Sequence, residues 1–134
     1  MPADIIAWSR GKALVATGLP IPPVDYAGVR YWIGQANNAL LYPGLGLGTI
    51  VADASKVTDG MLLAAARAVA GQADVSAPGA SLLPAVENLR ASTATTAVAV
   101  AQAAGDDGVA KRKANDLVQA VQDAIWQPTY PDSV

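Results

Sequence analysis

The chain has 134 residues, the size of one ordinary domain, and can bury a core. Nine basic residues stand against eleven acidic ones, a formal net charge of −2, so no strong field favours nucleic acid or an anionic membrane. Cysteine and histidine are absent, which excludes disulfides, thiolate metal sites and imidazole acid–base chemistry. Any catalysis here would rest on Asp, Glu, Lys or Tyr.

Taken in chain order, Pro2 to Trp8 reads as a short helix, with Pro2 and Asp4 suited to its first turn and Gly11 as its stop. Ala13-Leu14-Val15-Ala16-Thr17 is a continuous apolar run ended by Gly18, the pattern of a buried strand. Pro20, Pro22 and Pro23 forbid regular structure. Val24-Asp25-Tyr26 and Val29 to Ile33 flank Ala27-Gly28, a hairpin signal. Pro43 can open a helix, because its missing N–H is one the helix does not use there. Gly44, Gly46 and Gly48 weaken that helix by about 1 kcal/mol each relative to Ala, and such residues persist where another backbone comes close.

Thr58 is a good N-cap, and the helix Asp59 to Ala70 follows until Gly71. Ala73 to Gly79 is a loop. Pro84 to Ala104 is the longest helix expected, with Val86, Leu89, Thr93, Ala97, Val100 and Ala104 along one face. Gly105-Asp106-Asp107-Gly108 ends it. Asn115 is expected to cap a last helix that turns Leu117, Val121 and Ile125 inward, with Pro128 preventing continuation. The chain is thus read as mainly helical with a small β component. One continuous apolar strand needs neighbours on both sides, so Ala13 to Thr17 looks like the last strand of a larger sheet.

Several motifs invite chemistry. Gly44-x-Gly46-x-Gly48 suggests a dinucleotide fingerprint, but the third glycine would have to stand at Thr49 or Val51. Both registers fail, and close helix packing is the better reading. Asn37-Asn38 reads as a turn from residue type alone. Lys12, Lys56, Lys111 and Lys113 read as solvated charges. Asp106-Asp107 reads as a helix-ending loop, with too few ligands for a metal.

Three stretches, in order, carry a family resemblance. The first is Gly11-Lys12-Ala13-Leu14-Val15-Ala16-Thr17-Gly18 with Leu19-Pro20-Ile21-Pro22-Pro23-Val24. The second is Gly34 to Gly48, with its Asn37-Asn38 and its Pro43-Gly44-x-Gly46-x-Gly48. The third is Leu82-Leu83-Pro84 with Asn88-Leu89-Arg90, closed by Trp126-Gln127-Pro128-x-Tyr130. Together they resemble the C-terminal part of the NAD-binding domain of malic enzymes, the NAD(P)-dependent malate oxidoreductases.

The resemblance implies a C-terminal fragment of a Rossmann-like α/β domain, with residues 1–134 as one partial domain. It implies oxidation of malate to oxaloacetate with hydride transfer to NAD or NADP, then decarboxylation to pyruvate, with Mg2+ or Mn2+ in the parent enzyme. It assigns Asn37 and Asn38 to a malate carboxylate, reversing the plain turn reading, since neutral amides orient a carboxylate without adding charge. It places Thr17 and Gly18 beside the nicotinamide nucleotide. Leu19 and Ile21 depart from the family's Ser and Phe, so the resemblance implies no Ser-mediated cofactor contact at Leu19. The family's catalytic Tyr and Lys, its metal-holding acids and its phosphate loop have no counterpart in this sequence, so no catalytic residue is named.

Three readings follow from that. The chain is a truncated product inactive alone, a subunit that completes a site with a separate partner chain, or a structural and interaction module. The first is favoured, with no tight binding of NAD, NADP or metal by the chain alone. The unpaired strand implies a homo-oligomer, most simply a dimer, or pairing with the missing N-terminal portion. The N-terminus lacks a secretory signal, no apolar run reaches the roughly 18 residues of a membrane span, and the Ala- and Val-rich composition suits a packed cytoplasmic protein.

Overall fold

A computed structural model describes residues 1–126. The elements are α1 (Pro2–Trp8), β1 (Ala16–Thr17), β2 (Val24–Tyr26), β3 (Val29–Tyr31), β4 (Gly34–Gln35), α2 (Tyr42–Val51), α3 (Asp59–Ala70), α4 (Leu89–Asp106) and α5 (Leu117–Ala124). Short 3-10 turns precede α2 at Asn38–Leu40 and α4 at Val86–Asn88. The mainly helical architecture with a small β component is as the sequence implies.

Helix α4 is the spine, and α2, α3 and α5 all pack on it. Its buried stripe is Ser92, Thr96, Ala97, Val100, Ala101 and Ala104. The C-terminal half of this stripe is the expected one. In the N-terminal half, Ser92 and Thr96 are buried in place of Leu89 and Thr93, because α2 approaches there through glycines. A Cβ on Gly44 would overlap the Thr96 side chain. One on Gly48 would stand 2.5 Å from the Ala97 carbonyl oxygen and 2.7 Å from Val100 Cβ. The glycine run is thus a helix-packing device at Gly44 and Gly48, while Gly46 faces open space. Leu45, Val51, Met61, Ala65 and Val121 complete the core around α4.

The start of α4 differs from the expectation. Ala85, after Pro84, has extended backbone (φ −67°, ψ 137°), so regular helix begins only at Leu89 after the 3-10 turn. At the other end, Gly105 and Asp106 remain helical. Helix α3 keeps its expected limits, with Thr58 Oγ1 accepting from the Met61 N–H. Thr58 in turn donates to the Asp107 carboxylate, so the end of α4 closes over the start of α3. The cap of α5 is Asp116 rather than Asn115, its carboxylate accepting from Gln119 N–H at 3.0 Å. Val121 is fully buried as expected, with Leu117 and Ile125 packed beside it. Pro128 lies outside the described residues.

The β component is two separate pairs. β2 and β3 form the expected hairpin, antiparallel with Asp25 opposite Arg30. Its turn residues Ala27 (φ 49°) and Gly28 (φ 78°) are both left-handed, the geometry that matches strand twist. The hairpin is not the neighbour of the apolar strand. β1, shorter than the Ala13–Thr17 run, pairs in parallel with β4 instead. The hairpin is the crossover that carries the chain from one to the other. A second, smaller core of Ile6, Val15 and Tyr31 holds α1, the apolar run and the hairpin together.

Candidate functional site

Parallel pairing decides what comes together. Ala16 lies opposite Gly34 and Thr17 opposite Gln35. The Gly34 N–H donates to the Val15 carbonyl at 2.9 Å, and the Ala36 N–H to the Thr17 carbonyl at 2.8 Å. Both strands therefore end on the same side, one running into Gly18 and the other into Asn37-Asn38. The carboxyl end of a parallel strand pair is where open α/β sheets bind ligands. Gly34 makes the close approach of a third segment possible. A Cβ there would stand 3.2 Å from the Leu83 backbone nitrogen and 3.3 Å from Ala16 Cβ.

Asn37 is half-buried and Asn38 exposed. Asn37 Oδ1 accepts from the Ala39 N–H at 2.9 Å, which opens the 3-10 turn. Both amides line a cavity of about 310 Å3 with Leu40, Leu41, Tyr42 and Leu83. A larger cavity of about 410 Å3 is lined by Pro20, Ile21, Trp32, Gln35 and Glu87. Thr17 and Gly18 line neither, although they stand at the adjoining strand end. The Thr17 hydroxyl donates to the Leu19 carbonyl at 2.8 Å and so serves its own loop. Among the described residues no heavy atom stands near the place of a Cβ on Gly18, and the residue is exposed.

The wall residues Trp32, Gln35, Tyr42 and Glu87 were not singled out by the sequence. Gln35 sits on a two-residue strand without periodicity, and Trp32, Tyr42 and Glu87 come from three other segments that only the fold brings together. The displaced pKa values belong elsewhere. The Arg30 guanidinium, hydrogen-bonded to Asp25, holds that carboxyl below its ordinary value, and Asp25 raises Arg30 in return. Two hydrogen bonds from Ser76 lower Asp74.

The residues present fit a dinucleotide only at one edge. An open Gly18 backbone and a strand terminus can meet a flat ring. The glycine run of α2 offers no phosphate cradle, because Gly44 and Gly48 are buried against α4 with no room even for a methyl group. Among the described residues no three His, Cys, Asp or Glu side chains gather in reach of one metal ion. No helix among them is long and apolar enough to cross a membrane.

Comparison with known proteins agrees with this arrangement. Residues 1–105 match the family described as malic enzyme, NAD binding domain. NAD-dependent malic enzyme 3 of Bacillus subtilis is 57% identical over 129 residues, covering 96% of this chain and 23% of its own. A malolactic enzyme of Lactococcus lactis is 46% identical over 127 residues, covering 95% of this chain and 24% of its own. In structure, the malic enzyme of Pyrococcus horikoshii aligns with a TM-score of 0.65 at 31% identity, over 83% of this chain and 23% of that one. The chain spans about a quarter of the length of these relatives. With residues 1–105 matching the family model, relatives up to 57% identical along nearly its whole length and a solved malic enzyme aligning over 83% of it, the chain belongs to the malic enzyme family, within the part that forms the NAD-binding domain.

Proposed function

We propose that the chain is the C-terminal part of the NAD-binding domain of a malate oxidoreductase, and that it positions substrate and cofactor without itself reacting. The whole enzyme would oxidise malate to oxaloacetate and release CO2 to give pyruvate. Bound NAD or NADP would take the hydride, with Mg2+ or Mn2+ polarising the substrate oxygens. The observation that carries this reading is the parallel pair β1–β4, which ends one strand at Thr17-Gly18 and the other at Asn37-Asn38.

Asn37 and Asn38 are the substrate-orienting pair. Their amides donate to a carboxylate without adding a charge of their own. Gly18 offers a bare backbone to the nicotinamide edge, and Thr17 fixes the loop behind it through Leu19. Acid, base and metal ligands come from the remaining part of the enzyme. The setting this reading assumes is the cytoplasm, with residues 1–134 as one partial domain. Alone, the chain turns over no malate and binds dinucleotide weakly. It completes its exposed strand edge by forming a homodimer. A similar match to a malic and to a malolactic enzyme supports a role in positioning shared by both.

The test is a chimera in which this chain replaces the matching segment of the Bacillus subtilis enzyme. Malate-dependent NAD reduction by the chimera, and none by the isolated chain, is the expected pair of results. Turnover by the isolated chain, or a folded chimera that binds NAD and leaves malate untouched, would overturn the reading.

A further inference from the structure

We propose that the cavity of about 410 Å3 receives the chain's own continuation beyond α5, with Tyr130 seated against Trp32. Pro20, Ile21, Trp32 and Pro84 give this cavity an apolar wall, and Gln35 and Glu87 supply polar atoms. Trp32 is 56% exposed, a large ring left half bare. Among the described residues the lining holds no Lys or Arg and one carboxylate. It therefore suits a neutral aromatic side chain better than a phosphate or a dicarboxylate.

Helix α5 delivers the chain to this place. Leu117, at its start, shares a cavity wall with Ala101 and Gly105 in the second half of α4. Past its far end, the Trp126 carbonyl lies 3.5 Å from the Arg90 guanidinium, whose residue stands in the first turn of α4. The chain has thus run back along α4 toward the segment that lines the cavity. Glu87 precedes Arg90 by three residues, at most about 11 Å along the backbone. The sequence continues Gln127-Pro128-Thr129-Tyr130-Pro131, and Tyr130 has a reach of about 13–14 Å from Trp126, which matches that span.

Pro131 favours extended backbone at Tyr130, as Pro128 does at Gln127. Extended proline-containing segments dock in aromatic-lined grooves, and the phenol O–H of a seated tyrosine finds acceptors in Gln35 and Glu87. A segment tethered within reach stands at an effective concentration of about millimolar, which favours the chain's own tyrosine over that of a second copy. Ile21 and Gln35 belong to the segments that carry Gly18 and Asn37, so the seated tyrosine braces the outer wall of the candidate site.

The test is NMR on the full chain, with the Trp32 indole signals assigned through Trp32→Phe. An NOE between the Tyr130 ring and the Trp32 indole is expected. Tyr130→Ala removes it and moves the Trp32 indole N–H signal, while Tyr130→Phe keeps the contact. The amides of Val100 and Ala104 stay in place in both variants, which separates a lost contact from a lost fold. A one-to-one mixture of labelled and unlabelled chain shows no NOE between the two. Absence of the Tyr130–Trp32 contact in the natural sequence overturns the proposal, whatever the variants do. So does a contact seen only between labelled and unlabelled chains, since a second copy would then fill the cavity. A Trp32 signal that ignores Tyr130→Ala overturns it as well.

Discussion

Two alanine substitutions in α2, two residues apart, are expected to shift stability in opposite directions. In the interior of a helix Ala is favoured over Gly by about 1 kcal/mol. At Gly46 a Cβ meets nothing within 4 Å, so Gly46→Ala keeps that whole gain. At Gly48 the same Cβ would lie 2.5 Å from the Ala97 carbonyl oxygen, 2.7 Å from Val100 Cβ and 2.8 Å from Val100 Cγ1. Ordinary contact needs the helices to part by about 1 Å. Two of those atoms are backbone or Cβ, which no rotamer change can move. Overpacking of this kind costs about 1–3 kcal/mol, which exceeds or cancels the propensity gain. The assay is urea unfolding of the purified chain followed by helix circular dichroism. Gly46→Ala should raise the midpoint by about 0.5 M, taking a slope of about 2 kcal/mol per M. Gly48→Ala should lower it or leave it unchanged. Two equal increases would refute the packing argument, because the gap between α2 and α4 would then be soft.

Three further outcomes follow from other features. Thr96 is fully buried and its Oγ1 has no hydrogen-bond partner among the described residues, so Thr96→Val should stabilise by about 1 kcal/mol in the same urea assay. Asp25 titrates below its ordinary 3.8 because Arg30 donates to its carboxylate, so the pair supports the hairpin above that pH and loses its effect as pH falls through the lowered value. An NMR titration of the Asp25 carboxyl should show a midpoint under 3.8 that moves up in Arg30→Gln. Light scattering at tens of micromolar should give a dimer mass, since β1 has one neighbour among the described residues and Trp8 on α1 is 81% exposed. A monomer mass would show that the strand edge needs no second chain.

The legible parts of the fold were those set by local chemistry. Thr58 and Asp59 announced α3, and Ala27-Gly28 announced the hairpin turn. The glycine run announced a close approach, though not the partner, because α4 lies some fifty residues away. β4 was illegible. Gly34-Gln35 has neither length nor alternation, and only pairing with Ala16-Thr17 makes it a strand. The shift from Asn115 to Asp116 was equally hidden, because both residue types cap well. For the site, residue type alone gave a turn at Asn37-Asn38, and family resemblance gave a ligand contact. The structure shows the turn, with Asn37 as its cap. Tyr42 lies in the same stretch as the amides, whereas the walls at Trp32 and Glu87 come from other segments and left no mark in sequence.

Because α4 is the spine, the order in which the chain is made matters. Helix α2 leaves the ribosome before residues 96–100 emerge, so for that interval its glycine face has nothing to close against. Its three glycines also make it a poor helix in isolation. The first half of the chain therefore cannot mature as it emerges. It waits, partly formed, until the second half arrives to cover it, and a nascent chain halted before Val100 should be a ready substrate for chaperones and proteases.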